Sequence, residues 1–349
     1  MSNATRWYTT REATKAAVGI AGADLDALID SYIEAGSEDL EQFLGRRFIP
    51  ETAIKYFRWP PNIGGGTVLE FPDYDLIAVT LLQAAAQDTT PTTIAAADYF
   101  LEPVNSGPPY TRIEIDLSSS AAFEAGDTPQ RSIAVTGRWG YAEATKAAGA
   151  LAEADDGTEL ALNVTDSSLI GVGDTILIGT EAMFVSAKIL LTTGTTLNDT
   201  LTANKNDTLV TVASGAAVKQ GEVVTLDAER MLVESISSND LTVQRAYDGS
   251  VLAAHTIGLT VYAPRTLTVV RAVNGTTAAT HADTTAIAKY APPADIAEYA
   301  RAYAIGHHQQ GRSGWTGVVG GDMGSVETKM FGLWAMRQAL IEKYGKVSL

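Results

Sequence analysis

The sequence predicts an α+β chain: a helical core built from both ends, residues 1–150 and 291–349, carrying a small β element and interrupted by an all-β domain at 158–290. Three observations carry this reading. Apolar residues recur at helical spacing near both ends. The stretch between 158 and 290 is dominated by Thr, Val and Ala, with strand and turn signals about every ten residues. That same stretch is self-similar.

Taken in order, Thr9-Thr10-Arg11-Glu12 fits a capping box with Thr9 as N-cap, opening a short helix to about Val18 that Gly19 and Gly22 break. From Asp24, the apolar positions Leu25, Leu28, Ile29, Tyr32, Ile33, Leu40, Phe43 and Leu44 form one stripe on a longer helix. Gly45 ends it and Pro50 prevents continuation. Short strands follow at 68–71, 77–81, 112–115 and 132–136, bounded by Pro, Gly, Asn and Asp. Residues 142–157, rich in Ala and acids, read as a linker or short helix. Helical periodicity returns after Pro292-Pro293 with Ile296, Tyr299, Ala300, Tyr303 and Ala304 on one face. A glycine-rich loop at 311–324 holds Trp315, and a last helix carries Leu333, Trp334, Leu340, Ile341 and Tyr344.

The repeat is the most specific local signal. Residues 241–250, LTVQRAYDGS, are matched 26 positions later by 267–276, LTVVRAVNGT, and His255 and His281 fall in register. Upstream, Gly173, Glu181, Met183 and Val185 align with Gly221, Glu229, Met231 and Val233 at a spacing of 48. One β module present twice accounts for both spacings: an inner copy at about 207–264, and an outer copy split around it into 158–186 and 267–290. Each second half ends a strand at Asp-Gly or Asn-Gly, a tight-turn signal. His255 and His281 have no second ligand nearby in sequence and read as structural. Glu181 and Glu229 read as solvent-facing, or as partners of the Arg in the same module.

Composition narrows the chemistry. Of 349 residues, 46% are hydrophobic and 19% charged, a folded-protein balance. There is no cysteine, which excludes disulfides and thiolate metal sites. The first eleven residues lack a signal-peptide core and no apolar run reaches membrane-spanning length, so a protein without membrane insertion is expected. The net charge of −16 opposes phosphate neutralisation; it suits solubility, or a surface that lies near DNA without adhering. Four histidines, two of them the adjacent His307-His308, assemble no nucleophile–base pair, and the glycine run at 64–66 is not followed by Lys-Ser/Thr. The expectation is no enzyme, no metal and no cofactor.

At Leu44-Gly45-Arg46-Arg47-Phe48-Ile49-Pro50, after the Tyr8-Thr9-Thr10 opening and the acidic helix, the chain resembles head-to-tail connector (adaptor) proteins of long-tailed phages. Asp98-Tyr99-Phe100-Leu101-Glu102-Pro103, Ile133–Tyr141, the Pro292-Pro293 helix start and Gly311–Trp315 continue the resemblance, which covers about 1–141 and 291–349. It implies a structural virion protein of the neck, assembled in the host cytoplasm as a ring of itself, usually twelve copies. Such a ring meets the portal protein and a stopper or tail-completion protein while genomic DNA passes through its bore unbound. On these segments Arg46, Arg47, Phe48, Trp139, Trp315, Trp334 and Tyr344 are the candidate interface residues. The alternative is a virion-surface or baseplate module that binds through its β repeats; the scarcity of aromatics in 158–290 and the helical ends weigh against it.

Overall fold

Strands, not helices, dominate the molecule. A computed structural model describes residues 6–60, 66–312, 318–321, 324–327 and 331–346, the short strands at 318–321 and 324–327 as backbone only. The expected helical core with a small β element is overturned: the chain is a β-dominated fold with four α-helices among the described residues. The reason lies in residues 51–139. Strands β1 (Glu51–Phe57), β3 (Leu76–Ala84), β4 (Thr92–Ile94) and β7 (Ile133–Trp139) form an antiparallel sheet in the order β1-β7-β3-β4. Strands β2 (Val68–Glu70), β5 (Tyr99–Glu102) and β6 (Arg112–Ile115) form a second sheet, β2-β6-β5. Leu69, Phe71, Leu76, Leu82, Ile113, Ile133, Val135 and Trp139 fill one core between them. Those side chains need no helix to bury them, so this segment is a sandwich in its own right.

The helices form a separate layer. Helix α1 (Arg11–Val18) is capped by Thr10, whose hydroxyl accepts from the Ala13 N–H, one residue later than the capping box predicts. Glu12 does not reach back; it accepts from the Val172 N–H at 2.9 Å, a lone donor in a distant loop. Helix α2 (Asp26–Leu44) stops at Gly45, which takes φ 62° and donates to the Glu41 carbonyl. Helix α3 (Ala294–Arg312) packs along α2 closely enough that a Cβ on Gly36 would stand 2.9 Å from the Tyr303 ring. Helix α4 (Phe331–Tyr344) closes the layer. Tyr8, Leu40, Leu44, Phe48 and Ile49 share a core with Ile296, Tyr299, Leu340 and Tyr344, so the two ends of the chain meet.

Ten of the remaining strands make one sheet, and the strands at 318–321 and 324–327 pair with each other as a separate hairpin. Strand β8 (Thr145–Ala150), within the segment read as a linker or helix, pairs with β17 (Ala286–Tyr290); Ala148 is buried, and the small residues suit an edge strand. Two strands, β11 (Glu181–Thr196) and β16 (Thr260–Val270), form a long ribbon from Phe184↔Val270 to Thr196↔Thr260. One module hangs on each end of that ribbon. In the outer module, β9 (Ala161–Asn163) pairs with β16 at Leu162↔Leu267; in the inner, β12 (Leu209–Thr211) pairs with β15 (Asp240–Gln244) at Val210↔Leu241. Strand β10 (Thr175–Ile178) meets β17 at Leu177↔Ala288, as β13 (Val223–Leu226) meets β16 at Thr225↔Tyr262. Every pair keeps the sequence spacings of 48 and 26, so the repeat extends to the hydrogen-bond register.

Both modules touch the helical layer through the same turn. Asn274 accepts from Arg6 at 3.3 Å and Asp248 accepts from the Gly22 N–H at 3.0 Å. With the Glu12–Val172 bond, these contacts lay the inserted domain against the N-terminal segment instead of leaving it to project freely.

Candidate functional site

A cleft of about 340 Å³ lies where the end of α2 meets the first sheet, lined by charged side chains and by Tyr74 and Trp139. The sequence dictates its shape. Gly45 turns the chain out of α2, so Arg46 and Arg47 leave the helix on the cleft side while Phe48 and Ile49 enter the core below. Alternation along β1 then points Glu51 and Lys55 into the same space.

Arg46 joins three elements. Its Nη1 donates to Asp75 at 2.7 Å, its Nε donates to the Tyr344 carbonyl at the end of α4, and its guanidinium stands 4.9 Å from the Tyr141 ring centre. Lys346 approaches Asp75 from the other side at 3.9 Å. Burial raises the pKa of Asp75, and Arg46 and Lys346 oppose that rise. Arg47 pairs with Glu51 and lies 3.6 Å from Glu41. Lys55 is 2.9 Å from Glu51 and 4.2 Å from the Tyr74 ring centre. Burial, followed by the charge of Arg47, pushes Lys55 down to about 8, against the pull of the adjacent Glu51 carboxylate. The cleft is thus an ionic seam between helices and sheet whose lining holds more carboxylates than cations. Its charged groups pair with one another across the seam.

Of the candidate interface residues, Arg46, Arg47 and Trp139 converge on this cleft, while Phe48 and Tyr344 pack edge-to-face at 5.4 Å behind it. Phe48, Trp139 and Tyr344 are buried within the chain, and Trp139 donates its indole N–H to the Ala53 carbonyl. Trp334 lies elsewhere, exposed on α4. Trp315 lies outside the described residues.

A second set of buried ionic groups sits in the β modules. Glu229 receives both arms of Arg245 at 2.7 and 2.8 Å, the Ala246 and Ala253 N–H groups, and His255 Nε2 at 2.9 Å. Glu181 is held identically by Arg271, Ala272, Ala279 and His281. Burial alone would raise these two carboxyls; the guanidinium, amide and imidazole donors overcome it and hold each at about 2. The Arg partnership matches one sequence reading of these glutamates, and the solvent-facing reading does not occur. Among the described residues no group of three or more His, Cys, Asp or Glu is arranged to hold a metal, and no helix is long and apolar enough to cross a membrane.

No protein-family model, curated protein or solved structure matches the chain.

Proposed function

We propose that the chain is the adaptor subunit of a long-tailed phage neck. Copies of it form a closed ring that joins the portal protein to the stopper or tail-completion protein, and genomic DNA passes through the bore. One observation carries this reading: the two separated blocks that resemble connector proteins share a single apolar core, Leu44, Phe48 and Ile49 from one and Ile296, Leu340 and Tyr344 from the other. A chain whose ends served independent purposes would have no reason to bury them together. The charge balance supports it too, because a net −16 per subunit gives a wall that repels the phosphate backbone instead of holding it. The Glu–Arg–His groups are buried staples and add no reaction to this role.

The test is the mass of the purified protein by native mass spectrometry, with negative-stain imaging. A ring of about twelve 36.8 kDa subunits is expected. A trimer would favour a fibre or baseplate role, and a protein that stays monomeric at every concentration would overturn the proposal.

A further inference from the structure

The two modules match residue by residue, at spacings of 48 in their first halves and 26 in their second, up to one point where they part. In the inner module β14 (Glu229–Ser237) pairs with β15 from Val233↔Val243 through Ser235↔Thr242 and Ile236↔Leu241 to Ser237↔Asp240, and the chain turns at Ser238-Asn239. In the outer module β11 pairs with β16 from Val185↔Val269 through Ala187↔Thr268 and Lys188↔Leu267 to Ile189↔Thr266. The register is the same, down to the shift after Val233 and after Val185. The next positions, Ser238 and Asn239, correspond to Leu190 (238 − 48) and Arg265 (239 + 26). The outer hairpin is opened at its turn, and the inner module fills the gap.

Beneath each turn position lies the same seat. The Val212 N–H donates to the Asn239 carbonyl at 2.9 Å, as the Val164 N–H donates to the Arg265 carbonyl at 2.9 Å. The seat is closed differently in the two modules. In the inner one the Asn239 side chain accepts from the Gly215 N–H at 3.0 Å, and a Cβ on Gly215 would stand 2.0 Å from the Ser238 carbonyl oxygen. That close approach of the turn is what requires glycine there. In the outer module the counterpart of Gly215 is Ser167, which has room for a side chain because the turn is open. Its N–H and Oγ donate to buried Glu222 of the inner module at 3.0 and 2.9 Å. Arg265, in the place of Asn239, donates to the same carboxylate at 2.8 and 2.6 Å.

Gly215 and Asn239 are thus the closed form of a seat that Ser167 and Arg265 show occupied. The turn above it is accessible, with Ser237, Ser238 and Asn239 all exposed. We infer that the Ser238-Asn239 turn is the acceptor site for one further β module of this kind, entering in chain and docking on the Gly215 loop through its own buried glutamate. The number of modules, and with it the reach of the inserted region, is set at this turn.

The test inserts a second copy of residues 191–264 between Ser238 and Asn239 of the full chain, together with Asn239→Arg. Urea midpoints are measured for the extended and unextended chains, each with and without Gly215→Ser. In the unextended chain Gly215→Ser is expected to lower the midpoint, because the closed turn leaves no space for the side chain. In the extended chain the same substitution is expected to raise it, and adding Glu222→Gln in the inserted copy alone is expected to abolish the rise. An extended chain that does not fold, or one in which Gly215→Ser brings no rise, would overturn the acceptor site. An unextended chain that carries Gly215→Ser without loss would overturn it as well.

Discussion

The inner and outer β modules solve one problem in two ways. Each buries a glutamate, and in each an arginine, two backbone amides and a histidine Nε2 surround it with near-identical geometry. They differ in where the second carboxylate goes. In the outer module Asp155 pairs with Arg271 at 2.7 Å and is 1% exposed. In the inner module Arg245 instead donates to the carbonyls of Thr202 and Asp207, and Asp227, 60% exposed, meets the other histidine nitrogen at 3.1 Å. The part held constant is the set of donors that a buried carboxylate requires; the extra acid is free to move.

The comparison breaks most readily at the glutamates. Glu229→Gln leaves Arg245 buried without a carboxylate partner and is expected to cost about 3–5 kcal/mol in chemical denaturation, whereas Glu181→Gln leaves Arg271 paired with Asp155 and is expected to cost less. Hydrogen exchange is expected to localise the damage of Glu229→Gln to about 197–259, beyond the ribbon. Equal exchange across both modules would show them to be one cooperative unit. The second acids should separate the modules: Asp155→Asn is expected to cost about 1–3 kcal/mol, and Asp227→Asn less than about 1 kcal/mol because its carboxylate is solvated. A larger loss at Asp227 would contradict the assignment.

Acid should act on both modules alike. The folded carboxyls of Glu181 and Glu229, at about 2, lie below their ordinary value of 4.5. Their contribution is therefore fully present above pH 4.5 and is lost as pH falls toward 2, which a series of urea midpoints across that window would show. The smallest effect concerns the turns. Ala246 and Ala272 take φ 51° and 52°, so Ala→Gly at either is expected to raise stability by up to about 1 kcal/mol.

The module pair was legible because its signal is local and doubled: Leu241 with Leu267 and Glu181 with Glu229 stand in fixed register along the chain. The pairing of Arg271 with Glu181 was half legible, since the residues match between copies but lie 90 positions apart. The first sandwich was not legible as a body. Phe57, Phe71 and Trp139 pack as one aromatic group, yet they come from distant parts of the segment and nothing in periodicity announces that they meet. The cleft was hidden for a related reason. Arg46 was marked by its sequence context, but its partners Asp75 and Tyr344 belong to elements that only tertiary packing brings close. Strand β8 was misread because alanine-rich acidic sequence is as compatible with a helix as with an edge strand.

The ribbon of β11 and β16 gives the inserted region a mechanical character. The chain enters and leaves the inner module through these two strands, whose ladder continues into the outer module. A load on the inner module is carried down that paired strut into the outer module, and the turns at Asp248 of the inner module and Asn274 of the outer module each brace on the N-terminal segment. A tether made of a single flexible strand would swing; this one transmits torque.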